Sequence, residues 1–198
     1  MTQGPITKYV DSLPVGLAQV RVGISATHIA KLGAALTAND SIGALTKTNY
    51  VEERAYWEHE SGYPALPDHT LPLSCKARVE VEAEELTPYN IAIARGIDPT
   101  GGGYTLPHSG EVTIGSLVAP AYVRMEAHYV FPNTDYSLDI IFPRAQVTSN
   151  FNTDFQAADG MKYPFAFEAK RADSSVTGGN AVWDNMPLGR WQFQDASV

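Results

Sequence analysis

From Lys76 to Glu84, charged and apolar side chains alternate without a break: Lys76, Arg78, Glu80, Glu82 and Glu84, with Ala77, Val79, Val81 and Ala83 between them. Successive side chains of a β-strand point to opposite faces, so this run predicts one apolar face and one face carrying five formal charges. Such a strand keeps one face wet. It suits a wall, lining or surface better than a catalytic pocket. Directly after it, Thr87 is placed to cap a helix with Pro88 at its first position, Ile91, Ala92 and Ile93 as a buried stripe, Arg95 near its end and Gly96 to stop it. The spacing predicts a helix over 87–95 that covers the apolar side of the sheet.

The remaining pattern is strand-rich. Leu17 to Ser25 alternates Ala18, Val20, Val22 and Ile24 against Leu17, Gln19, Arg21 and Gly23, and Thr48 to Glu60 alternates Glu52, Arg54, Tyr56, Glu58 and Glu60 against Val51, Glu53, Ala55, Trp57 and His59. If the latter pairs antiparallel with Cys75 to Glu85, the two make a long charged ribbon. Pro64, Pro67 and Pro72 make the connection Ser61 to Pro72 stiff, irregular and projecting. Ala26 to Ala38 has the apolar spacing of a short helix, against which Gly33 counts. Further strands are expected near Glu111 to Leu117, Ala121 to Phe131, Tyr136 to Thr148 and Tyr163 to Ala172, with a Gly-rich loop from Asp98 to Gly110. The fold class this predicts is mainly β: an antiparallel β-sandwich or barrel with one flanking α-helix. Gly4, Pro5, Pro14 and Gly16 mark residues 1–16 as an N-terminal arm. Residues 17–173 are expected to form the core of a single domain, and 174–198 an aromatic C-terminal arm whose Trp183, Trp191 and Phe193 need somewhere to dock, either on their own domain or on a neighbouring subunit.

At 198 residues and 44% hydrophobic content, the chain can bury a full core. Cys75 is the only cysteine, so an intrachain disulfide is excluded and a reducing compartment is favoured. A net charge of −8 argues against tight nucleic-acid binding, which needs clustered Lys and Arg, but not against contact with DNA in transit. No apolar run approaches the roughly 20 residues of a membrane helix, and the N-terminus lacks the pattern of a signal peptide.

Candidate chemistry is sparse. Of His28, His59, His69, His108 and His128, no pair shows zinc-site spacing; His59 and Glu60 with His69 and Asp68 could in principle meet across a loop and hold a metal, yet such residues in loops are usually solvated. Glu58 and Glu82 on paired strands could mimic the two acids of a glycosidase. A crowd of charges on a wet face is the wrong setting for a general acid, which needs an apolar one. Gly101 to Gly103 lack the lysine of a phosphate loop, and Ser109 lacks the nucleophile-elbow pattern. Tyr163, Phe165 and Phe167 alternate as core residues do. Neither a catalytic residue nor a cofactor or metal site is predicted.

The segments LPVGLAQVRVG, CKARVEVEAEELTPYNIAIARG, IIFPRAQVTS, MKYPFAFEAKRAD and NAVWDNMPLGRWQF, in that order, resemble the major tail tube proteins of long-tailed bacteriophages, especially the non-contractile (siphovirus-like) kind. The resemblance implies a β-sandwich flanked by a helix, a non-enzymatic structural virion protein whose hexameric rings stack into the tail tube, and terminal arms that bridge subunits. It also implies partners: other copies of the chain, a tape-measure protein, tail tip or baseplate and tail terminator proteins, and viral DNA passing without sequence-specific binding, in a tail assembled in the host bacterial cytoplasm. The loop with Tyr63, Pro64, Leu66, Pro67, Asp68 and His69 takes the place of the family's inter-ring loop. A like-charged wall repels DNA phosphates, so Glu52, Arg54, Glu58, Glu60, Arg78, Glu80, Glu82 and Glu84 are expected to line the lumen, with screening over about 8 Å confining the effect to DNA close by. Alternatives are a tail terminator, an effector-carrying ring protein, or a carbohydrate-binding or glycoside-cleaving β-sandwich.

Overall fold

The computed structural model describes residues 16–61, 66–99, 110–115, 119–132, 136–153 and 161–195. Its frame is one antiparallel sheet of seven strands: β1 (Gln19–Ile24), β2 (Leu45–Ser61), β3 (Leu66–Ala83), β4 (Val123–Val130), β5 (Tyr136–Val147), β6 (Tyr163–Ala169) and β7 (Arg190–Asp195). The spatial order is β1-β4-β5-β6-β3-β2, and β7 pairs with β5 off that path. β5 forks the sheet: along one edge, Tyr136 to Ile141 pair with β7 while Ala145 to Val147 pair with β6.

The alternation read from the sequence decides what is buried. Val20 and Val22 of β1, Val79 and Val81 of β3, Met125 of β4, Phe142 of β5, and Phe165 and Phe167 of β6 meet in one apolar cluster. Strands from both ends of the order feed it, so the sheet curls around a shared core; it does not close into a barrel. Full burial of a side chain such as Phe167 or Met125 stabilises by about 1.5–3 kcal/mol.

The helix α2 (Pro88–Ala94) forms as predicted: the Thr87 hydroxyl accepts from the Asn90 N–H at 3.1 Å, and Gly96 ends the helix with a φ of +69°. A Cβ at Gly96 would meet the Val147 carbonyl at 2.8 Å, a second reason for glycine there. Ile93 and Ala94 join the core, Tyr89 donates to the Val22 carbonyl at 3.1 Å, and the Asn90 amide donates to the Ile42 and Glu85 carbonyls at 2.8 Å each.

Four expectations change. The helix over Ala26 to Ala38 shrinks to one turn, α1 (Ser25–His28), and a 3-10 turn at Ala38–Asp40. The reason is a buried ion pair on β4 that takes over the hydrogen bonding of the intervening backbone. Arg124 donates to the carbonyls of His28, Lys31 and Gly33, and Glu126 accepts from the N–H groups of Ala35 and Leu36. Residues 111–115 form no strand, and 116–118 lie outside the described residues. The stretch from Leu66 to Pro72 is strand, not irregular loop, and Tyr63 and Pro64 lie outside the described residues. Residues 174–195 are not loop throughout: they dock on the sheet of their own chain, the first of the two places open to them, and add the strand β7. Trp183 is fully buried, its indole N–H donating to the Ile29 carbonyl at 2.7 Å, and Gly189 turns the chain into β7 where a Cβ would overlap the Ile141 carbonyl. Residues 1–15, the expected N-terminal arm, lie outside the described residues.

Candidate assembly surfaces

β2 and β3 outrun the sheet. β6 pairs with β3 only from Arg78 to Ala83, so Glu52 to Ser61 and Leu66 to Lys76 continue as a two-stranded ribbon, exposed along its whole length. Proline is tolerated in it because β3 has an open edge there. Each proline also follows a register shift: Ala55 faces Ser74 while Tyr56 faces Pro72, skipping Leu73, and His59 faces His69 while Glu60 faces Pro67, skipping Asp68. The bulges absorb what a continuous ladder would not accept.

Register assigns the faces, since residues directly opposite share one. Glu52, Arg54, Glu58 and Glu60 lie opposite Ala77, Cys75, Thr70 and Pro67, on the face continuous with the core. Arg78, Glu80 and Glu82 lie opposite Val51, Asn49 and Lys47, on the outer face. The acids expected to form one wall therefore stand on two opposite faces. Glu84 lies beyond the end of β3, exposed, its N–H donating to the Ala44 carbonyl at 3.0 Å. Glu58 and Glu82, the glycosidase pair considered above, are on opposite faces as well.

Much of this charge is paired. On the outer face Arg78 binds Glu53 at 2.8 Å and Glu80 at 3.0 Å, Lys47 stands 3.9 Å from Glu80, and Lys170 binds Glu168 at 2.8 Å. The Asn49 amide and then Arg78 hold the Glu80 carboxyl below the usual carboxylate range. Glu82 has no cationic partner among the described residues. On the inner face, Arg54 at 2.5 Å and then the Tyr50 hydroxyl at 2.8 Å hold the Glu52 carboxyl low. Partial burial and the bond to Glu52 push the Tyr50 phenol up to about 12, and burial with Glu52 nearby pushes the Cys75 thiol up. Exposed pairs of this kind contribute about 0–1 kcal/mol each, so they set surface chemistry more than stability.

The ribbon also carries apolar side chains that no described residue covers: Tyr56, Trp57, Leu66, Leu71 and Leu73 are all exposed. A second exposed apolar surface lies on the far side of Tyr50 from the ribbon. Tyr50 fixes the direction, packing edge-on to Trp191 with centroids 4.9 Å apart. On the ribbon side of Tyr50, Glu52 and Arg54 face Leu188 to Arg190; on the other side, Thr48 faces Leu138 and Ile140 across a cavity of about 200 Å³ that Gly16, Ala18 and Tyr129 also line. Beyond that cavity come Phe193, paired with Leu138 and 69% exposed, and the exposed Tyr136 and Leu17. Of the residues expected to dock an arm, Trp183 is core, Trp191 is half-exposed and packs against Tyr50, and Phe193 is mostly exposed.

The sequence pattern located the ribbon but missed its length, because prolines hide inside bulged strands. The buried Arg124–Glu126 pair left no periodic signal at all. Among the described residues no group of three or more His, Cys, Asp or Glu side chains could hold a metal ion, and no helix is long and apolar enough to cross a membrane.

No protein-family model matches the chain, and no curated protein matches it. Among solved structures, it is similar to a chain in the tail of an empty GTA particle obtained by helical refinement with C6 symmetry, at 11% identity and a TM-score of 0.44, covering 77% of this chain and 90% of that one. It is also similar to a chain in the PVC sheath–tube complex of an extracellular contractile injection system in the extended state, at 8% identity and a TM-score of 0.45, covering 98% of this chain and all of that one. Identities and scores this low assign neither fold nor activity.

Proposed function

We propose that this protein is a structural subunit that polymerises with its own copies into a hollow phage-type tail tube, and that it catalyses no reaction. The observation that carries the reading is the ribbon. An isolated two-stranded hairpin is marginal in water, and this one adds open edges and uncovered Tyr56, Trp57, Leu66, Leu71 and Leu73. A neighbouring subunit supplies the surface that the described residues do not. The ordered resemblance of five sequence segments to major tail tube proteins supports the same reading. In it, subunits close into hexameric rings, the Leu66–His69 end of the ribbon reaches the next ring, and viral DNA passes through the channel. Its length is set by a tape-measure protein, and tip and terminator proteins sit at its ends in the virion tail.

Only one of the two acid-bearing faces can line a channel. We assign the outer face of β3, with Glu80 and Glu82, because the opposite face is core. Negative-stain microscopy of the concentrated protein is expected to show stacked rings with a central hole; a persistent monomer that binds saccharide overturns the reading in favour of a lectin-like sheet. Glu82→Lys is expected to leave rings intact and lower DNA delivery by reconstituted particles, and unchanged delivery removes Glu82 from the lumen.

A further inference from the structure

We propose that His59 and His69 form a binding site for a divalent transition-metal cation on the outer face of the ribbon. This rests on register and not on the tube reading. The sequence separates the two histidines by ten positions and offers no metal-site spacing, but antiparallel pairing sets them directly opposite each other. Directly opposed residues share a face, with β-carbons about 4.5–5.5 Å apart. From there two imidazoles can converge their outer nitrogens on one cation at about 2.0–2.1 Å.

The surroundings favour this chemistry over a solvated pair. Among the described residues, neither imidazole is engaged in a hydrogen bond or an ion pair, so both keep a nitrogen lone pair for a ligand. The Trp57 ring packs against His59 with centroids 5.5 Å apart, which limits the directions that imidazole takes. Leu66 and Leu71 flank the pair on the same face, while the nearby Glu58 and Glu60 point to the other. Asp68 sits at the bulge, where its carboxylate accepts from the Ser61 hydroxyl at 2.5 Å. A set of two imidazoles without carboxylate suits zinc, nickel or copper and disfavours calcium and magnesium. No third His, Cys, Asp or Glu joins them among the described residues, so the remaining positions go to water. A cation held this way ties β2 to β3 at the last register pair before the bulge at Asp68, next to the Ser61–Asp68 hydrogen bond that already crosses between the strands.

The test is isothermal titration of the full-length protein with nickel(II) chloride. The protein is expected to take up one nickel per chain in a saturable transition. His59→Thr and His69→Thr, which keep strand-compatible side chains, should each weaken binding by more than the roughly tenfold that losing even an outer-shell partner costs. Glu58→Gln, on the opposite face, should bind like the parent. Copper(II) should quench tryptophan emission through Trp57, a loss that Trp57→Phe removes without removing uptake. No saturable binding by the parent, or undiminished binding by His69→Thr with its β-sheet circular dichroism intact, overturns the proposal.

Discussion

Arg124 and Glu126 show how two residues replace a secondary-structure element. Both side chains are fully buried and joined at 2.6 Å, and between them they satisfy three carbonyls and two N–H groups of the 28–36 segment. Burial pulls the guanidinium below its ordinary value against the opposing pull of Glu126, and the Trp183 ring lies 6.0 Å from the guanidinium carbon. Removing one partner of such a pair strands the other, so Glu126→Ala is expected to cost about 3–5 kcal/mol, read from the urea midpoint. Asp173 acts on the same scale. The Ser175 hydroxyl and then Arg171 hold its carboxyl below the usual range. A carboxyl whose folded value is depressed contributes stability above its unfolded pKa of about 3.9 and loses that contribution as pH falls through the folded value. Thermal midpoints between about pH 6 and 2 should therefore fall less steeply for Asp173→Asn than for the parent, with the variant already lower at pH 6. Equal slopes would show that Asp173 does not drive acid destabilisation.

The ribbon makes its case at the level of the element. Every described residue from Glu52 to Ser61 and from Leu66 to Lys76 is exposed, and none belongs to the core, which draws on β3 only from Ala77 onward. Replacing residues 55–73 with a short Asn-Gly turn is therefore expected to leave the thermal midpoint within a few degrees of the parent and to abolish rings in negative stain; a large loss of midpoint would mean that the ribbon supports the body. Its root was legible because Thr48–Glu60 and Lys76–Glu84 alternate at period two, and so was α2, whose Thr87, Pro88 and Gly96 act locally. What the pattern hid was non-local. Pro67 and Pro72 read as loop punctuation because the bulges that accommodate them exist only once β2 is opposite. The two acid-bearing faces were merged for the same reason: each strand's alternation was read correctly, but only the register says that Glu80 faces Asn49 and not Glu52. β7 was missed because Arg190–Asp195 is short and alternates polar with aromatic residues in a stretch dense in Gly and Asn.

On the scale of the molecule, the described residues expose two apolar surfaces on either side of Tyr50: Trp57, Leu66 and Leu71 on the ribbon, and Phe193, Tyr136 and Leu17 beyond the cavity. They are different surfaces of one chain, so a contact between them across copies is heterologous. Such contacts propagate as rings when the rotation closes and as filaments when it does not. A contact between identical patches would instead stop at a dimer. The edges agree, because among the described residues neither β2 beyond β3 nor β7 beyond β5 has a further strand partner, so a neighbour's strand can pair there. Phe193 is the residue that separates assembly from folding: at 69% exposed it contributes little to the core, yet it dominates the bare end of β7. Phe193→Glu is expected to leave the urea midpoint within about 0.5 kcal/mol of the parent, as surface substitutions do, and to shift sedimentation from rings to monomer. The charge would have to be desolvated in every copy of the contact, so the loss should persist at high protein concentration. Rings that form undiminished in the variant would move the interface away from β7 and leave the ribbon to find its partner on another face.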